Sequence, residues 1–168
     1  MLVNRAIPVT MTSKRLDTAL AYIGHFASID ASVLERILAD NFVQNYAPAS
    51  IPNPGPFDKP GLISLTRHMN TLLSGFPMLV KEVIESDKSN AVTIWVTGEA
   101  TFRDEVRDDG LTAEEWVHKG EYIFLIFLDE SGEKIVRTTE FVDSKATLHM
   151  VELAPRATEN LSKKEISH

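Results

Sequence analysis

The chain has 168 residues, a length typical of one domain, and its 43% hydrophobic and 24% charged residues are ordinary for a folded protein. A net charge of −7 with scattered Lys and Arg argues against a nucleic-acid partner, which is bound through clustered basic residues. The absence of cysteine excludes disulfides, thiol nucleophiles and thiolate metal sites.

The first residues predict neither a leader nor a membrane anchor. Residues 1–12 carry one charge, Arg5, and no long apolar stretch, so we expect a flexible segment and not a secretory signal. No apolar run in the chain reaches the roughly 18 residues that cross a bilayer. We therefore expect a cytoplasmic protein without a membrane partner.

Three helices are predicted in the first half of the chain. Each follows a residue that can cap it, namely Ser13 (or Thr12), Asp30 and Asp58. Apolar residues then recur at helical spacing to about residues 27, 38 and 73. Pro60 lies in the first turn of the third helix, where proline is tolerated.

Residues 45–57, between the second and third predicted helices, include four prolines. Proline fixes φ and lacks an N–H, so this segment is predicted to be an ordered loop and not a helix or a central strand. Two interpretations stay open: the loop crosses the mouth of a pocket, or it only connects two elements on the surface.

After Pro77 the pattern changes to that of β-strands. Residues 79–86, 91–102, 115–128 and 134–151 are rich in β-branched and aromatic residues and are separated by turn residues. Residues 158–168 are polar, and we expect a flexible tail. The order of elements predicts an α+β fold with one domain at residues 13–157, in which helices pack on an antiparallel sheet of about four long strands.

The segment from Gly132 to Glu140 (GEKIVRTTE) resembles the last-hairpin signature of SnoaL-like proteins, which has a turn glycine, Lys-Ile, and an acidic residue five positions after the Ile. Two further segments, Asn41-Phe42-Val43 before the proline-rich loop and Glu140-Phe141-Val142-Asp143-Ser144, are similar to members found in fungal natural-product clusters. The order of elements resembles the same SnoaL-like/NTF2-like superfamily over residues 13–152.

This resemblance implies a cone-shaped fold, frequent homodimers and no organic cofactor. It also implies acid–base catalysis by one carboxylate with nearby His, Tyr or Arg, as in polyketide cyclases, skeletal isomerases and, more distantly, scytalone dehydratase. The catalytic Asp of the family corresponds here to Glu140, which keeps the carboxylate on a longer arm. The superfamily also contains binding proteins without activity, so fold alone does not decide function.

Side chains alternate across a strand, so the pairing of the last hairpin predicts which residues share a face. Pairing Tyr122 with Glu140 places on one face His118, Gly120, Tyr122, Phe124, Ile126, Val136, Thr138, Glu140 and Val142. A carboxyl among mostly apolar neighbours has a raised pKa and can act as an acid or a base near neutral pH. The alternative is a Glu140 that is solvent-exposed or paired with Arg137 or Lys119.

His118 is predicted to lie about 13 Å along the strand from Tyr122, so it would reach the far end of a large ligand. The alternative is a partly exposed strand histidine. His68, at the edge of the third helix's apolar stripe, is a further candidate acid–base group. His25 is predicted to lie on the polar side of the first helix and is given no role.

Five residues are predicted to bind the substrate. Tyr122 and Phe124 share the face of Glu140, Tyr22 lies at the edge of the first helix's stripe, and Met69 lies on the stripe of the third helix. Trp95 can bind the substrate only if its face of strand 91–102 lines the pocket, and the sequence does not show which face does.

These features predict a cofactor-independent isomerase or cyclase that acts on a polyketide-like secondary metabolite. A scytalone-dehydratase-like dehydratase and a noncatalytic NTF2-like binding module are the alternatives. No metal is expected, because no two histidines have chelating spacing. The strand at 115–128 is apolar on both faces, which favours a homodimer that packs through the outer face of the sheet.

Overall fold

The computed structural model describes residues 13–52 and 55–166, and three capped helices form where the sequence predicts them. The Ser13 hydroxyl accepts the N–H of Leu16 at the start of α1 (Lys14–Gly24), and the Asp30 carboxylate accepts the N–H of Ser32 at the start of α2 (Ala31–Ile37). Asp58 accepts the N–H of Gly61 at the start of α3 (Lys59–Leu72). The first helix is shorter than predicted, because α1 gives way to a single 3₁₀ turn at His25–Ala27.

The described residues contain a seven-stranded curled sheet, which is larger than the predicted four strands. Its strands are β1 (Leu38–Ala47), β2 (Phe57–Asp58), β3 (Leu73–Gly75), β4 (Met78–Ser86), β5 (Ala91–Phe102), β6 (Val117–Leu128) and β7 (Ile135–Val142). The strand order is β2-β1-β7-β6-β5-β3, and β4 also pairs with β5. The sheet is mixed and not purely antiparallel, because β1 runs parallel to β7.

The first strand, β1, corrects the prediction for residues 38–47. Leu38 was expected to end a helix and residues 45–47 to begin the proline-rich loop, whereas both belong to β1. Phe42 and Gln44 are buried and alternate with the exposed Val43, which is the pattern of a strand. The loop after β1 does reach the interior, since Ile51 is buried.

A fourth helix, α4 (Ser144–Ile166), occupies residues that were predicted to be strand as far as 151 and a polar tail from 158. Asp143 starts this helix, because its carboxylate accepts the N–H groups of Lys145 and Ala146 and its carbonyl accepts the N–H of Thr147. Leu153 and Ala157 then bury against a cluster around Trp116 and anchor the helix.

The register of the last hairpin also differs from the prediction. Glu140 pairs with Phe124 and Val142 with Tyr122, two residues away from the expected pairing, and an irregularity lies between Phe127 and Leu128. A shift of two residues preserves the side-chain alternation, so Glu140 stays on the expected inner face.

The inner face of the curled sheet carries the main core. Val92, Ile94 and Val96 of β5 are buried in one cluster with residues of α1 and α2, whereas Trp95 is exposed on the outer face. This arrangement answers the question of which face of strand 91–102 points inward. No helix within residues 13–52 and 55–166 is long and apolar enough to span a membrane. The flexible segment expected at residues 1–12 lies outside the described residues.

Candidate active site

The inner face, the helices and the loop after β1 enclose a cavity of about 220 Å³. Apolar side chains supply most of its lining, including Leu62 and Met69 of α3 and Met150 of α4. Ile51 and Pro52 line the cavity from the loop, as expected if this segment crosses the mouth of a pocket. The polar groups that reach the cavity therefore stand in surroundings of low dielectric constant, where their interactions are strong.

Glu140 of β7 lines this cavity and is 7% exposed. Burial raises the pKa of its carboxyl from 4.5 to about 8, and a hydrogen bond from Gln44 offsets part of that rise. Lys119 pairs with Glu99, and the Arg137 guanidinium lies over the Phe127 ring, so neither cation pairs with Glu140. The solvated, ion-paired Glu140 that a noncatalytic module predicted is not found.

Gln44 holds the Glu140 carboxyl in place. The parallel pairing of β1 and β7 sets Gln44 beside Thr138 and Tyr46 beside Glu140. The Gln44 amide oxygen accepts hydrogen bonds from the Tyr22 hydroxyl at 2.6 Å and the Thr138 hydroxyl at 3.3 Å. With the oxygen so occupied, the amide nitrogen faces Glu140 and donates to its carboxyl at 3.1 Å.

Three tyrosines of the cavity lining lie near enough to the buried Glu140 carboxyl to feel its charge. Burial and the nearby Glu140 raise the pKa of Tyr22, Tyr46 and Tyr122 well above that of a free phenol. All three side chains line the cavity and stay protonated at neutral pH, and the Tyr22 hydroxyl already donates to Gln44.

His118 and Tyr122 of β6 form a hydrogen-bonded pair, with 2.6 Å between Nε2 and the hydroxyl oxygen. The expected separation of about 13 Å therefore does not apply to the two side-chain ends, which meet. Gly120 between them allows the contact, because a Cβ at that position would lie 2.5 Å from the Tyr122 hydroxyl oxygen. Burial, with a smaller contribution from the nearby His149, lowers the pKa of His118 to about 4.

His25 is a cavity residue that the sequence did not indicate. A continuous helix would place it on the polar side, but the 3₁₀ turn after Gly24 changes the angle and buries it to 4% exposure. Gln44 and Tyr46 were also missed, because β1 was not recognised as a strand. The signal that could have found them is the alternation Phe42, Gln44, Tyr46, which places all three on one face.

Some of the catalytic and substrate-binding residues predicted from the sequence line the cavity, and others do not. Tyr22, Tyr122 and Met69 line the cavity, together with Glu140 and His118. His68 does not, because it is exposed on α3 and its Nε2 lies 3.3 Å from the Thr158 hydroxyl of α4. Phe124 is buried behind the cavity against Tyr22 and Phe26, and Trp95 is on the opposite face of the sheet.

Comparison with known proteins identifies the fold. No family model matches the sequence, and no curated protein gives a significant match. Among solved structures, BvnE pinacolase from Penicillium brevicompactum superposes with a TM-score of 0.72 at 14% identity, covering 86% of this chain and 96% of that one. AusH from Aspergillus nidulans gives 0.64 at 21% identity, with coverages of 78% and 84%. IdmH from Streptomyces antibioticus, a candidate polyketide cyclase, gives 0.61 at 15% identity, with coverages of 82% and 98%.

At these identities the similarity establishes the fold and no more. The fold is the SnoaL-like/NTF2-like cone that the sequence resemblance implied. Because one cone can enclose many different sites, the function has to be argued from the residues of the cavity.

Proposed function

We propose that this SnoaL-like cone is a cofactor-independent isomerase or cyclase that acts on a small, polyketide-like ketone by acid–base catalysis. The observation that carries the proposal is the Glu140 carboxyl, which is buried in the cavity lining with a pKa raised to about 8. Groups with such strongly shifted pKa values inside a cleft are concentrated at catalytic sites. The pinacolase and the candidate cyclase that share the fold add support.

In the proposed reaction, Glu140 in its ionised form removes a proton from the carbon next to a carbonyl group. The C–H bond breaks, an O–H bond forms on the carboxyl, and the electron pair moves onto the carbonyl oxygen as an enolate. His118, in the tautomer that carries its hydrogen on Nε2, donates to the Tyr122 hydroxyl oxygen and leaves the Tyr122 O–H free to donate a hydrogen bond to the enolate oxygen. Glu140 then returns the proton to another carbon. In ring closure, the enolate carbon instead bonds to the carbon of a second carbonyl group of the substrate, whose C=O π electrons move onto its oxygen, and that oxygen takes the proton from Glu140.

The pKa of Glu140 determines the pH dependence of this step. A base that titrates near pH 8 is about one-tenth ionised at pH 7. The ionised fraction, and with it kcat/KM, rises with pH and levels off above about 8. If Glu140 acts only as an acid, kcat/KM falls over the same interval.

The proposal can be tested before the natural substrate is known. Exchange of the α-protons of tetralones and indanones for deuterium in D₂O reports proton abstraction next to a carbonyl, and NMR follows it directly. Exchange above background by the wild-type protein, and its loss in Glu140→Gln, is the expected result. No catalysed exchange across the ketones, with binding demonstrated, would contradict the proposal.

Tyr122→Phe keeps the ring over Gly120 and removes the hydroxyl. We expect the exchange rate to fall about 10²-fold, because the enolate oxygen loses a hydrogen-bond donor. Trp95→Phe on the outer face is the matched control and should retain the wild-type rate. A Tyr122→Phe rate within about threefold of wild type would remove Tyr122 from the mechanism.

We also propose that the outer face of the sheet binds a second copy of the chain. Trp95, Ile123 and Phe141 are adjacent across β5, β6 and β7 and are 40%, 40% and 49% exposed. An exposed apolar row of this kind is typical of an interface. Sedimentation should show a dimer that Ile123→Glu converts to monomer, whereas Ile166→Glu, at an 87% exposed position of α4, has no effect. A monomeric wild-type protein would contradict this proposal.

A further inference from the structure

His25 is held in a single tautomer by the backbone. Its Nδ1 lies within hydrogen-bond distance of the Tyr22 carbonyl oxygen. A carbonyl can only accept, so Nδ1 carries the hydrogen and donates it. Tyr22 is in the last turn of α1, where carbonyl groups lack a partner within the helix.

The other ring nitrogen, Nε2, is left as an acceptor. No residue in the described part of the chain forms a hydrogen bond with Nε2. This nitrogen is also not fully enclosed by protein atoms. His25 lines the cavity and its Nδ1 is turned to the Tyr22 carbonyl, so we infer that Nε2 is the ring nitrogen available to a ligand. Burial lowers the pKa of His25 to about 4, which keeps this acceptor unprotonated at neutral pH.

The groups packed around His25 leave Nε2 as the only polar atom of this side chain that a ligand could contact. The Tyr22 and Phe26 rings pack against the imidazole at centroid distances of 5.2 and 4.1 Å. Asp30 acts on His25 as a nearby negative charge, but its carboxylate already caps α2. When a ligand fills the cavity, this acceptor keeps a hydrogen-bond partner only if the ligand brings a donor.

We propose that Nε2 of His25 accepts a hydrogen bond from a hydroxyl group of the substrate, which is therefore a hydroxylated ketone. The protonated Glu140 carboxyl and the Tyr122 hydroxyl supply donors for the ketone oxygen, and His25 supplies an acceptor for the hydroxyl. This inference rests on the proposed role of the cavity as the ligand site, and it does not require chemistry at Glu140.

The test compares 5-, 6- and 7-hydroxy-1-tetralone with their methoxy counterparts as ligands. Binding is measured by calorimetry at about pH 6, where the phenols and Glu140 carry their protons. The three isomers place the hydroxyl in three directions from the ketone. At least one hydroxytetralone should bind roughly three- to tenfold more tightly than its methoxy counterpart, as one hydrogen bond predicts.

Two substitutions distinguish the proposed contact of His25 with the ligand from its hydrogen bond to the end of α1. His25→Asn places an amide N–H where Nδ1 stands, so it keeps the bond to the Tyr22 carbonyl and loses the acceptor. His25→Gln places an amide oxygen near the position of Nε2. We expect the hydroxyl preference to disappear in His25→Asn and to persist in part in His25→Gln. In the wild-type protein, the ¹⁵N resonance of Nε2 should shift with the hydroxytetralone and not with the methoxytetralone.

A hydroxyl preference that survives in His25→Asn would overturn the inference, and so would equal binding of every hydroxy and methoxy pair. Failure of all the tetralones to bind would overturn it too. Deuterium exchange separates this result from the proposed function. If the wild-type protein shows no hydroxyl preference but catalyses exchange, only the role of His25 is refuted. If it shows a preference that His25→Asn abolishes but catalyses no exchange, only the catalysis is refuted.

Discussion

Glu140→Gln is expected to slow α-proton exchange by roughly 10²- to 10⁴-fold, the usual contribution of a general acid–base group. Glutamine has the size of glutamate and its amide oxygen can accept the Gln44 hydrogen bond, so the cavity should keep its shape. The glutamine amide cannot take up a proton at neutral pH, so the variant loses only the group that transfers the proton. Ketone binding measured in parallel should change little.

Glu140→Asp is the matched variant, because it keeps the carboxyl and shortens the arm by one methylene. We expect it to exchange faster than Glu140→Gln and more slowly than the wild type, since catalysis depends on the position of the carboxyl. A Glu140→Gln variant within about threefold of the wild-type rate would show that proton abstraction, if present, uses another group.

Glu140 is also expected to make the free energy of unfolding depend on pH. The folded state binds the Glu140 proton more tightly than the unfolded state, since the pKa is about 8 when folded and 4.5 as the reference value. The stabilisation from this proton is complete below about pH 4.5 and is lost as the pH rises to about 8. The loss is at most about 5 kcal/mol, from 1.36 kcal/mol per pKa unit.

The measurement is urea unfolding of the wild type and Glu140→Gln from pH 4 to 9. His25 and His118 act in the opposite direction, because their pKa values are lowered from 6.5 to about 4 and their stabilisation is lost as the pH falls through that interval. Both histidines are present in both proteins, so their effect cancels in the difference. A difference that stays constant across this range would contradict a buried, proton-binding Glu140.

Much of the fold follows from local signals. Ser13, Asp30 and Asp58 mark the helix starts, because capping depends on one side chain and the next few N–H groups. The face of Glu140 could also be predicted, since alternation in β7 is unaffected when the pairing with β6 shifts by two residues. The raised pKa of Glu140 follows from that placement.

The elements that the sequence did not reveal depend on distant partners. The first strand, β1, pairs with β7 from the other end of the chain, and Gln44 reaches Glu140 only through that pairing. The β-branched residues before Val151 favour a strand, but the cap at Asp143 and the burial of Leu153 stabilise α4 instead. The position of His25 depends on the 3₁₀ turn after Gly24, which helical periodicity does not indicate.

The most direct test of the central claim is a ¹³C NMR titration of the glutamate side-chain carboxyls, with the Glu140 resonance assigned by its absence in Glu140→Gln. A carboxyl that titrates near pH 8 is the predicted result, and it would establish the buried acid–base group on which the mechanism depends. Titration near pH 4.5, as in a solvated glutamate, would contradict the mechanism at its first step.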